Sequence, residues 1–463
     1  MNTAEHVHFI GIGGYGMSAI ARVLLEMGYQ VSGSDVMAQE LTDKLVAKGA
    51  QVYIGHEAAH VEGANMVVYS TALSKDNVEM LAAEQLKIPI IHRAEMLARI
   101  MDARRGIAVA GAHGKTTTSS MIALIMEECG LDPTYIIGGE IMNVGNNAKA
   151  GKGEYVVAEA DESDGSFLNY HPELAIVTNI EADHLENYDG DFTKLIQAYG
   201  IFLSQIKAGG KAIVCYDDEH LRELLPLIRG RVISYGFAVG ADYRADNLVL
   251  GDRVCAFDII KGQDRIGRVE LTVPGKHNVY NALAAVITCL EAGLTINAIA
   301  AAIKLFRGAK RRFQVLGDID GILVIDDYAH HPTEIEATIA ASKSTGKRII
   351  AVFQPQRYTR TFFLLEQFSR AFSEADEVII TDIYSPAGEL RIEGVTSGRL
   401  VDLIRLNSNS NVMLIPTKEE VKTYLSDHVR SGDLVLTMGA GDIWKAGEDL
   451  TKELQRRVDI SKS

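Results

Sequence analysis

The feature that most constrains this chain is an apolar run, a glycine-bounded turn and a lysine with three threonines, over residues 107–118. A strand that enters such a turn and then a helix brings backbone N–H groups and a helix N-terminus to one point, which favours phosphate binding. Lys115 would add a positive charge there, and Thr116 a hydroxyl for Mg²⁺. Val109 stands where a full P-loop has its first glycine. The stretch predicts a nucleoside triphosphate site formed by Gly111, Ala112, His113, Gly114, Lys115, Thr116 and Thr117.

Length and composition limit the class of protein. The chain has 463 residues and a formal net charge of −15, so we expect two to four domains and no surface for nucleic acid or anionic membrane. The four cysteines are widely separated in the sequence, which argues against a disulfide or metal framework. We see neither a signal-peptide pattern nor an apolar run near the ~20 residues of a spanning helix, and we therefore expect a cytoplasmic protein.

A second glycine-rich stretch lies near the N-terminus. Gly11, Gly13 and Gly16 follow a strand candidate at residues 7–10, and Asp35 ends the next strand candidate. This is the spacing of a dinucleotide-binding fold, in which glycines let the backbone approach a pyrophosphate and the acid takes a ribose hydroxyl. The pattern predicts pyrophosphate binding and leaves open whether the ligand is NAD or another nucleoside diphosphate.

Strand and helix patterns alternate through most of the chain and predict an α/β protein of three domains, each with a mostly parallel sheet. We expect a Rossmann-like domain over residues 1–104, a central P-loop ATPase-like domain over 105–313, and a second Rossmann-like domain over 314–463. Residues 230–273 differ, because they alternate in polarity and contain short turns. They predict a small antiparallel sheet that is inserted into, or appended to, the central domain.

Acidic and imidazole side chains follow two strands of the central region. Glu159 ends an apolar run and opens the acidic segment 159–164. A carboxylate at the C-terminal end of a strand, in the same α/β unit as a P-loop, is well placed for Mg²⁺. A solvated acidic loop is the alternative interpretation. His184 follows the next strand, where a lone histidine is more often an ordinary loop residue than a ligand.

Polar clusters in the last third of the sequence are further candidates. Asn278 and Asn281 share one face of a predicted helix, where they could read a base edge or cap the helix. The basic segment 306–313, with Arg311 and Arg312, could meet phosphates or be a solvated linker. Several later strands end in polar residues, the first at Asp327, and the carboxyl ends of such strands predict a ligand crevice.

Five motifs occur in one order along nearly the whole chain: GIGGYGMS at 11–18, GAHGKTT at 111–117, EADESD at 159–164, HNVYNA at 277–282 and DYAHHPT at 327–333. This series resembles the Mur ligases of peptidoglycan synthesis, and the loop at residues 13–17 favours the alanine-adding branch of that family. Ala112 departs from the threonine that the family often has, at a position outside the Lys-Thr chemistry.

The resemblance implies ATP-dependent formation of an amide bond. The lactyl carboxylate of UDP-N-acetylmuramate would take the γ-phosphoryl group of ATP, and the amine of L-alanine would attack the resulting acyl phosphate. These small molecules are the expected partners, and the oligomeric state is left open with a homodimer as one option. Such a reaction needs charge neutralisation and positioning more than covalent help from the protein.

The resemblance also implies roles for individual residues. ATP would be held by the P-loop stretch and by Asn278, Asn281, Arg311, Arg312 and Asp327. Two Mg²⁺ ions would be held by Thr116, Glu159 and His184. The UDP-sugar would lie against Gly11, Gly13, Gly14, Gly16, Met17, Asp35, Ser70 and Thr71. The chemistry would depend on Lys115, His184, His330, Arg357 and Arg360.

Four other functions compete with this interpretation. Within the ligases these are a recycling enzyme that adds a tripeptide to the same nucleotide sugar, and a folylpolyglutamate synthetase. An NAD-dependent dehydrogenase would use the first domain but leave the P-loop unexplained. A non-catalytic, ATP-gated binding protein would show no substrate-dependent release of ADP.

Overall fold

The computed structural model describes residues 5–74, 76–228, 230–251, 254–385 and 389–461. The chain divides into two compact units. The first unit consists of Met1–Asp246, Asp258–Val269 and Tyr280–Phe306. The second unit consists of Asn247–Phe257, Glu270–Val279 and Arg307–Ser463. In the described ranges we find no helix that is both long enough and apolar enough to cross a membrane.

The N-terminal region contains a five-stranded sheet. Its elements are β1 (His6–Ile10), α1 (Tyr15–Glu26), β2 (Gln30–Asp35), α2 (Glu40–Ala47), β3 (Gln51–Ile54), β4 (Met66–Tyr69), α3 (Val78–Gln85), β5 (Ile90–His92) and α4 (Arg93–Asp102). The strand order is β3-β2-β1-β4-β5, and every neighbouring pair is parallel. The order reverses next to β1, which is where doubly wound sheets bind their ligands.

The central region forms a ten-stranded sheet, of order β15-β14-β13-β12-β11-β10-β6-β9-β7-β8. Its strands are β6 (Arg105–Ala110), β7 (Thr134–Ile141), β8 (Asn146–Lys149), β9 (Tyr155–Glu159), β10 (Leu174–Val177), β11 (Lys211–Cys215), β12 (Arg231–Gly236), β13 (Tyr243–Leu250), β14 (Cys255–Lys261) and β15 (Asp264–Leu271). Its helices are α5 (Lys115–Glu128), α6 (Phe192–Ser204), α7 (Glu219–Leu224), α8 (Lys276–Glu291) and α9 (Ile296–Ile303).

The small antiparallel sheet that we expected over residues 230–273 is not a separate sheet. Strands β12 to β15 continue the central sheet beyond β11, and both β11–β12 and β12–β13 pair in parallel. Along β13, Tyr243 and Ala245 are buried, whereas Asp246, Val249 and Leu250 are exposed, so this part of the sheet opens to solvent. An antiparallel pair that the sequence did not indicate, β7 with β8, lies at the opposite edge.

The C-terminal region has a six-stranded sheet of order β16-β17-β21-β18-β19-β20. Only its edge pair β16–β17 is antiparallel among the neighbouring pairs. Its strands are β16 (Gln314–Ile319), β17 (Ile322–Asp327), β18 (Arg348–Phe353), β19 (Glu377–Ile380), β20 (Val412–Leu414) and β21 (Asp433–Met438). Its helices are α10 (Pro332–Lys343), α11 (Tyr358–Phe363), α12 (Leu365–Arg370), α13 (Ser397–Asn407), α14 (Lys418–His428) and α15 (Trp444–Ser461).

Both faces of the C-terminal sheet are buried. Along β17, Leu323 and Ile325 belong to one hydrophobic cluster, whereas Ile322 and Val324 belong to the cluster on the other face. Successive side chains of a strand point to opposite faces, so an unbroken apolar run is what a sheet covered by helices on both sides requires. The predicted α/β fold with three mostly parallel sheets is confirmed, while the limits of the three domains stay a prediction.

Candidate active site

The P-loop lies between β6 and α5, in the middle of the central sheet. Gly111 and Gly114 have φ angles of +132° and +85°, a region that L side chains rarely adopt. A Cβ atom on Gly111 would overlap the Thr178 hydroxyl, and one on Gly114 would overlap the Asn281 amide. Two of the glycines in the motif are therefore required both by backbone conformation and by close packing.

The Lys115 ammonium is held by a carboxylate and by the loop itself. Its Nζ donates to both oxygens of Glu162, at 2.7 and 2.9 Å, and to the carbonyl oxygens of Gly111 at 2.6 Å and Ala112 at 3.3 Å. Burial opposes the charged form, but the carboxylates of Glu162 and Asp161 outweigh burial and raise the pKa of Lys115. Lys115 is thus a fixed positive charge at the mouth of the loop.

The rim of the P-loop is fixed by the end of the neighbouring strand β10. Asn179 accepts the N–H of His113 at 2.9 Å through its side chain, and its amide donates to the His113 carbonyl at 3.0 Å. The Thr178 hydroxyl donates to the same carbonyl at 2.5 Å. The His113 ring approaches Glu181, with Nε2 3.4 Å from a carboxylate oxygen. The turn is therefore held in shape by side chains that follow β10.

Glu159, at the end of β9, faces the first turn of α5. Its Oε1 accepts the N–H of Gly138 at 2.7 Å and the Ser119 hydroxyl at 3.4 Å. Ser119 lies one helical turn after Thr116, which is itself buried. The structure thus brings Glu159 to the helix end that carries Thr116, and a magnesium site formed by the two stays a prediction.

The segment Ala160–Ser166, called here the acidic loop, lies beside the loop that carries His184. Tyr188 donates from its hydroxyl to the Glu162 carbonyl at 2.5 Å, and Asn187 donates to the Ser163 carbonyl at 2.6 Å. Burial raises the pKa of the Glu162 carboxyl group above its ordinary value, although the charges of Lys115 and His184 act in the opposite direction. His184 therefore belongs to the surroundings of the Lys115–Glu162 pair.

Asn281 packs against the P-loop, whereas Asn278 has a local partner. The Thr118 hydroxyl donates to Asn281 Oδ1 at 3.3 Å. Asn278 donates from its amide to the Pro274 carbonyl at 2.6 Å, at the start of α8. Both side chains are buried. Asn278 thus has a backbone partner just before the helix, and its contact with adenine stays a prediction.

The N-terminal glycine loop, Gly11–Gly14, joins β1 to α1. Its amide groups are used within the domain: the N–H groups of Gly11 and Ile12 donate to the Ser34 carbonyl at 2.8 and 3.0 Å, and Gly13 N–H donates to Asp35 at 2.8 Å. Asp35 is buried and therefore shapes the loop. Met17 is also buried, and its contact with a sugar nucleotide stays a prediction.

Arg93, which no sequence pattern marked, lies beside this loop. Its Nη1 is 3.4 Å from the position that a Cβ atom on Gly16 would take. Its Nη2 donates to Asp164 at 2.9 Å and lies 3.5 Å from Asp161. The Thr71 hydroxyl, next to Ser70 after β4, is also 3.5 Å from Asp164. The acidic loop thus meets Arg93 on one side and Lys115 on the other.

The two arginines of the basic segment have different environments within the C-terminal unit. Arg311 donates to Asp326 at 2.9 Å and to the carbonyls of Gly441 at 3.1 Å and Gly439 at 2.6 Å. Its guanidinium group therefore supports the C-terminal sheet. Arg312 lies 3.4 Å from Glu334. Both guanidinium groups lie over the ring of Tyr328. Contact of either arginine with ATP phosphates stays a prediction.

Asp327 and His330 lie in one polar cluster of the same unit. Asp327 accepts the N–H groups of Phe313 and Ala329, both at 2.7 Å. Burial raises the pKa of its carboxyl group to about 7, although Arg312 acts in the opposite direction. His330 donates from Nδ1 to the Tyr328 carbonyl at 2.9 Å, which leaves Nε2 as the acceptor of the neutral ring.

Arg357 and Arg360 lie at the start of α11. Arg357 has a φ of +67° and donates its N–H to the Tyr384 carbonyl at 2.9 Å. A non-glycine residue in this region is strained and is most often found near functional sites. Arg360 is buried and donates to Gln356 at 3.0 Å. The two arginines share one helix end, and their substrate contacts stay predictions.

Three family models match this chain in order. They are the Mur ligase family catalytic domain at residues 6–105, the Mur ligase middle domain at 109–289, and the Mur ligase glutamate ligase domain at 311–441. The chain belongs to the Mur ligase family. The predicted membership is therefore confirmed, and the chain is a ligase.

Individual Mur ligases match over nearly their full lengths. A protein of Symbiobacterium thermophilum named UDP-N-acetylmuramate–L-alanine ligase is 47% identical over 99% of this chain and 96% of its own. A protein of the same name from Desulforamulus reducens is 49% identical over 98% of both chains. The solved UDP-N-acetylmuramate-alanine ligase of Thermotoga maritima has a TM-score of 0.81 and 28% identity, covering 98% of this chain and 99% of that one. A murein peptide ligase of Psychrobacter arcticus shares the fold, with a TM-score of 0.73 and 24% identity over 97% and 99% of the two chains.

Proposed function

We propose that this Mur ligase joins L-alanine to the lactyl carboxylate of UDP-N-acetylmuramate, with ATP as the energy source, in the cytoplasm. The observation that supports the proposal is the position of Lys115, which is paired with Glu162 in the P-loop. The P-loop and the N-terminal glycine loop belong to the same compact unit. Two phosphate-binding turns in one unit suit two phosphorylated substrates. The names of the relatives that are 47% and 49% identical support this choice of substrate and amino acid.

The P-loop would hold the β- and γ-phosphates of ATP. The N–H groups of the first turn of α5, Lys115–Thr117, have no carbonyl partner four residues earlier in the helix. They point out of the helix N-terminus, where an anion is favoured. Phosphate oxygens would replace the Glu162 carboxylate on Lys115. The remaining ATP contacts would come from Asn278, Asn281, Arg311, Arg312 and Asp327.

The donor groups at the P-loop fit Mg²⁺. Glu159 and Thr116 offer oxygen ligands, which Mg²⁺ prefers. Near them, the acidic loop carries the carboxylates of Asp161, Glu162 and Asp164, which form ion pairs with Lys115 and Arg93. This surplus of negative charge would meet a triphosphate unfavourably unless a divalent cation were bound with it. When bound there, Mg²⁺ would neutralise charge that develops on the transferred phosphoryl group.

A second Mg²⁺ ion would lie beside His184. An imidazole nitrogen is a less favourable ligand for Mg²⁺ than an oxygen atom, so we expect this ion to be the weaker of the two. His184 has a φ of +55°, and such a strained conformation persists only when the surrounding structure fixes it. The neighbouring carboxylates of Asp183 and Glu186 lie 3.5 and 3.9 Å from the ring nitrogens.

The reaction would proceed in two displacements. A lactyl carboxylate oxygen attacks the γ-phosphorus, the bond to the β-γ bridging oxygen breaks, and ADP leaves. The alanine amine then attacks the acyl carbon and loses a proton, and inorganic phosphate leaves. Lys115 would neutralise the charge of the first step, since phosphoryl transfer depends on positioning and electrostatic stabilisation. His330, Arg357 and Arg360 would hold the amino acid and the muramyl group.

The N-terminal glycine loop would receive the uridine diphosphate. The N–H groups at the start of α1 are open to an anion for the same reason as those of α5. Gly11, Gly13, Gly14 and Gly16 keep this turn free of side chains, and Ser70 and Thr71 follow the neighbouring strand β4. Because Asp35 is bonded to Gly13, its contribution to the site would be to fix the shape of the loop.

A substrate panel tests the proposal. We expect release of ADP to require both UDP-N-acetylmuramate and L-alanine. Release with a tripeptide in place of L-alanine, and not with L-alanine, would favour the recycling ligase instead. Release of ADP without any amino acid, or binding of NADH without hydrolysis of ATP, would contradict the proposed reaction as a whole.

A further inference from the structure

The two glycine loops differ in their supply of positive charge. In the P-loop, the residue after the last glycine is Lys115, and its ammonium lies at the mouth of the turn. In the N-terminal loop, the corresponding residue after Gly14 is Tyr15, which brings no charge. A pyrophosphate carries several negative charges, and helix N–H groups alone offer only about half a positive charge. A cation from elsewhere in the fold would therefore strengthen the binding of a pyrophosphate at the N-terminal loop.

Arg93 is in the position to be that cation. It is the first residue of α4, and its Nη1 lies 3.4 Å from the position that a Cβ atom on Gly16 would take. Its side chain is 22% exposed, and Nη2 is the nitrogen paired with Asp164, whereas Nη1 is the one near the Gly16 position. Arginine suits phosphate because its planar group can donate two parallel hydrogen bonds.

The partners of Arg93 belong to the acidic loop that also holds Lys115. Asp164 and Asp161 face Arg93, whereas Glu162, between them, faces Lys115. The loop is braced by its own carboxylates, since Asp161 accepts the Ser163 N–H and Asp164 accepts the Ser166 N–H, both at 3.0 Å. The charge of Asp161 also acts on both cations. One rigid acidic loop therefore holds one cation for each glycine loop.

We propose that Arg93 binds the pyrophosphate of the sugar nucleotide at the N-terminal glycine loop, and that the acidic loop thereby couples this site to the Mg²⁺–ATP site. The inference rests on the proposed function. A pyrophosphate competes with Asp161 and Asp164 for Arg93, and the charge on Arg93 is then shared with the ligand. The acidic loop becomes more negative towards Lys115, which strengthens the binding of a divalent cation together with its nucleotide.

The first arm of the test measures binding of UDP-N-acetylmuramate to the full-length protein by calorimetry. We expect Arg93→Met to weaken binding by about 10- to 100-fold, as for the loss of a charged hydrogen-bond donor, and Arg93→Lys to restore part of it. The matched control is Arg99→Met, which removes the same charge from an exposed position of the same helix. It should bind within about twofold of the wild type. Equal binding by Arg93→Met would overturn the proposal.

The second arm measures the affinity for a non-hydrolysable ATP analogue with Mg²⁺, in the presence and absence of UDP-N-acetylmuramate and without L-alanine. In the wild type the sugar nucleotide should tighten binding by about fivefold, at the lower end of coupling between sites. In Arg93→Met this ratio should approach one, while Arg99→Met keeps the wild-type ratio. A wild-type ratio in Arg93→Met would overturn the coupling.

These outcomes separate the inference from the function on which it rests. If the proposed substrate is wrong, the wild type itself will not bind UDP-N-acetylmuramate. If only the role of Arg93 is wrong, the wild type and Arg93→Met will bind it equally. Thermal unfolding of each variant shows whether Arg93→Met is folded, and partial rescue by Arg93→Lys identifies an effect of charge that a packing defect would not show.

Discussion

The N-terminal glycine loop and the P-loop share one local structure, a strand, a glycine turn and a helix, but we propose different roles for them. Each joins a central parallel strand to a helix that begins directly after a glycine, Gly14 in one and Gly114 in the other. In each, the first turn of the helix leaves N–H groups open to an anion. The N-terminal loop is then held by the buried acid Asp35 and contains no cation, whereas the P-loop carries Lys115, and Thr178 and Asn179 bond to its backbone.

The difference shows how one turn can serve either binding or chemistry. A loop that only holds a pyrophosphate can take its cation from another element of the fold. The cation then needs only to lie near the pyrophosphate, because no atom of the pyrophosphate reacts. A loop that activates a γ-phosphoryl group needs a charge fixed at that group, since electrostatic stabilisation depends on preorganisation. The Lys115–Glu162 pair supplies such a fixed charge.

The largest expected effect is that of Lys115→Met. We expect kcat/KM for ATP to fall by about 10³-fold, as when one preorganised donor is lost, while binding of UDP-N-acetylmuramate stays within about twofold of the wild type. The variant also leaves Glu162 buried without its cation, which should lower the free energy of unfolding by about 3 kcal/mol. Steady-state kinetics, calorimetry and denaturant unfolding measure these quantities.

The double variant Lys115→Met with Glu162→Gln is the control for that experiment. It removes both charges of the pair, so most of the lost stability should return while the activity stays low. Recovery of activity together with stability would mean that Lys115 acts only in folding, and the distinction between the two loops would fail.

Replacing a glycine by alanine in each loop gives a second, smaller difference. In Gly111→Ala the new methyl group would overlap Thr178 and come within 3.1 Å of two backbone nitrogens, at a φ of +132°. In Gly13→Ala it would overlap the flexible side chain of Gln39, which can move at little cost, and would come within 2.8 Å of one Asp35 carboxylate oxygen. We expect ATP affinity to fall by about 100-fold in the first variant, and affinity for the sugar nucleotide by about fivefold in the second. Similar losses in both variants would contradict the difference in rigidity.

The buried acid Glu79 also supports the N-terminal loop, through Ser34. The carbonyl of Ser34 accepts two N–H groups of the loop, and its hydroxyl donates to Glu79 at 2.6 Å. Burial would raise the pKa of Glu79, but hydrogen bonds from His8, Ser34 and His60 lower it to about 2. Because this value lies below the ordinary 4.5, the ionised group stabilises the fold above about pH 4.5, and this contribution is lost as the pH falls towards 2.

We therefore expect Glu79→Gln to lower the free energy of unfolding by about 2 kcal/mol at pH 7. The difference from the wild type should shrink steadily between about pH 5 and pH 2. Activity at saturating substrate should change little, since Glu79 touches neither site. Chemical denaturation at a series of pH values measures the difference, and a constant difference over this range would show that the ionised form of Glu79 does not stabilise the loop.

The smallest expected effect concerns the second metal ion. His184→Ala should raise the Mg²⁺ concentration for half-maximal activity by about tenfold and leave sugar-nucleotide binding unchanged, since loss of one interaction with a metal site costs about this much. The matched variant Glu159→Gln should have the larger effect, because it removes a carboxylate oxygen. Titration with Mg²⁺ at fixed ATP separates the two, and an equal response would contradict their ranking.

The sequence predicted the framework of the site because strand, glycine turn and helix lie next to one another in the chain. Both glycine loops and Glu159 at the end of its strand were predicted in this way, whereas the role of His184 was predicted from the family resemblance. Arg93 was missed because it lies 71 residues before Asp164, and no local pattern shows a contact of that range. The role of Glu162 as the partner of Lys115 was hidden for the same reason, although its acidic segment was recognised.

The contacts that single polar residues make within the protein were not predicted from the sequence, and their contacts with ligands stay predictions. Asp35 was expected to face a ribose, and it accepts a loop N–H. Arg311 was expected to face phosphates, and it is bonded to the C-terminal sheet. Residue type and spacing indicate that a carboxylate or guanidinium group is needed in a region, but the choice between a structural partner and a ligand depends on packing between distant segments.

The central claim is that the two glycine loops serve one reaction, in which ATP activates the carboxylate of the sugar nucleotide. Transfer of isotope tests this directly: UDP-N-acetylmuramate labelled with ¹⁸O in its lactyl carboxylate is turned over with ATP and L-alanine, and the released phosphate is analysed by mass spectrometry. An acyl phosphate predicts that each phosphate molecule carries one ¹⁸O atom from the carboxylate. Phosphate without the label would show that the γ-phosphoryl group was transferred to water, and would contradict the account.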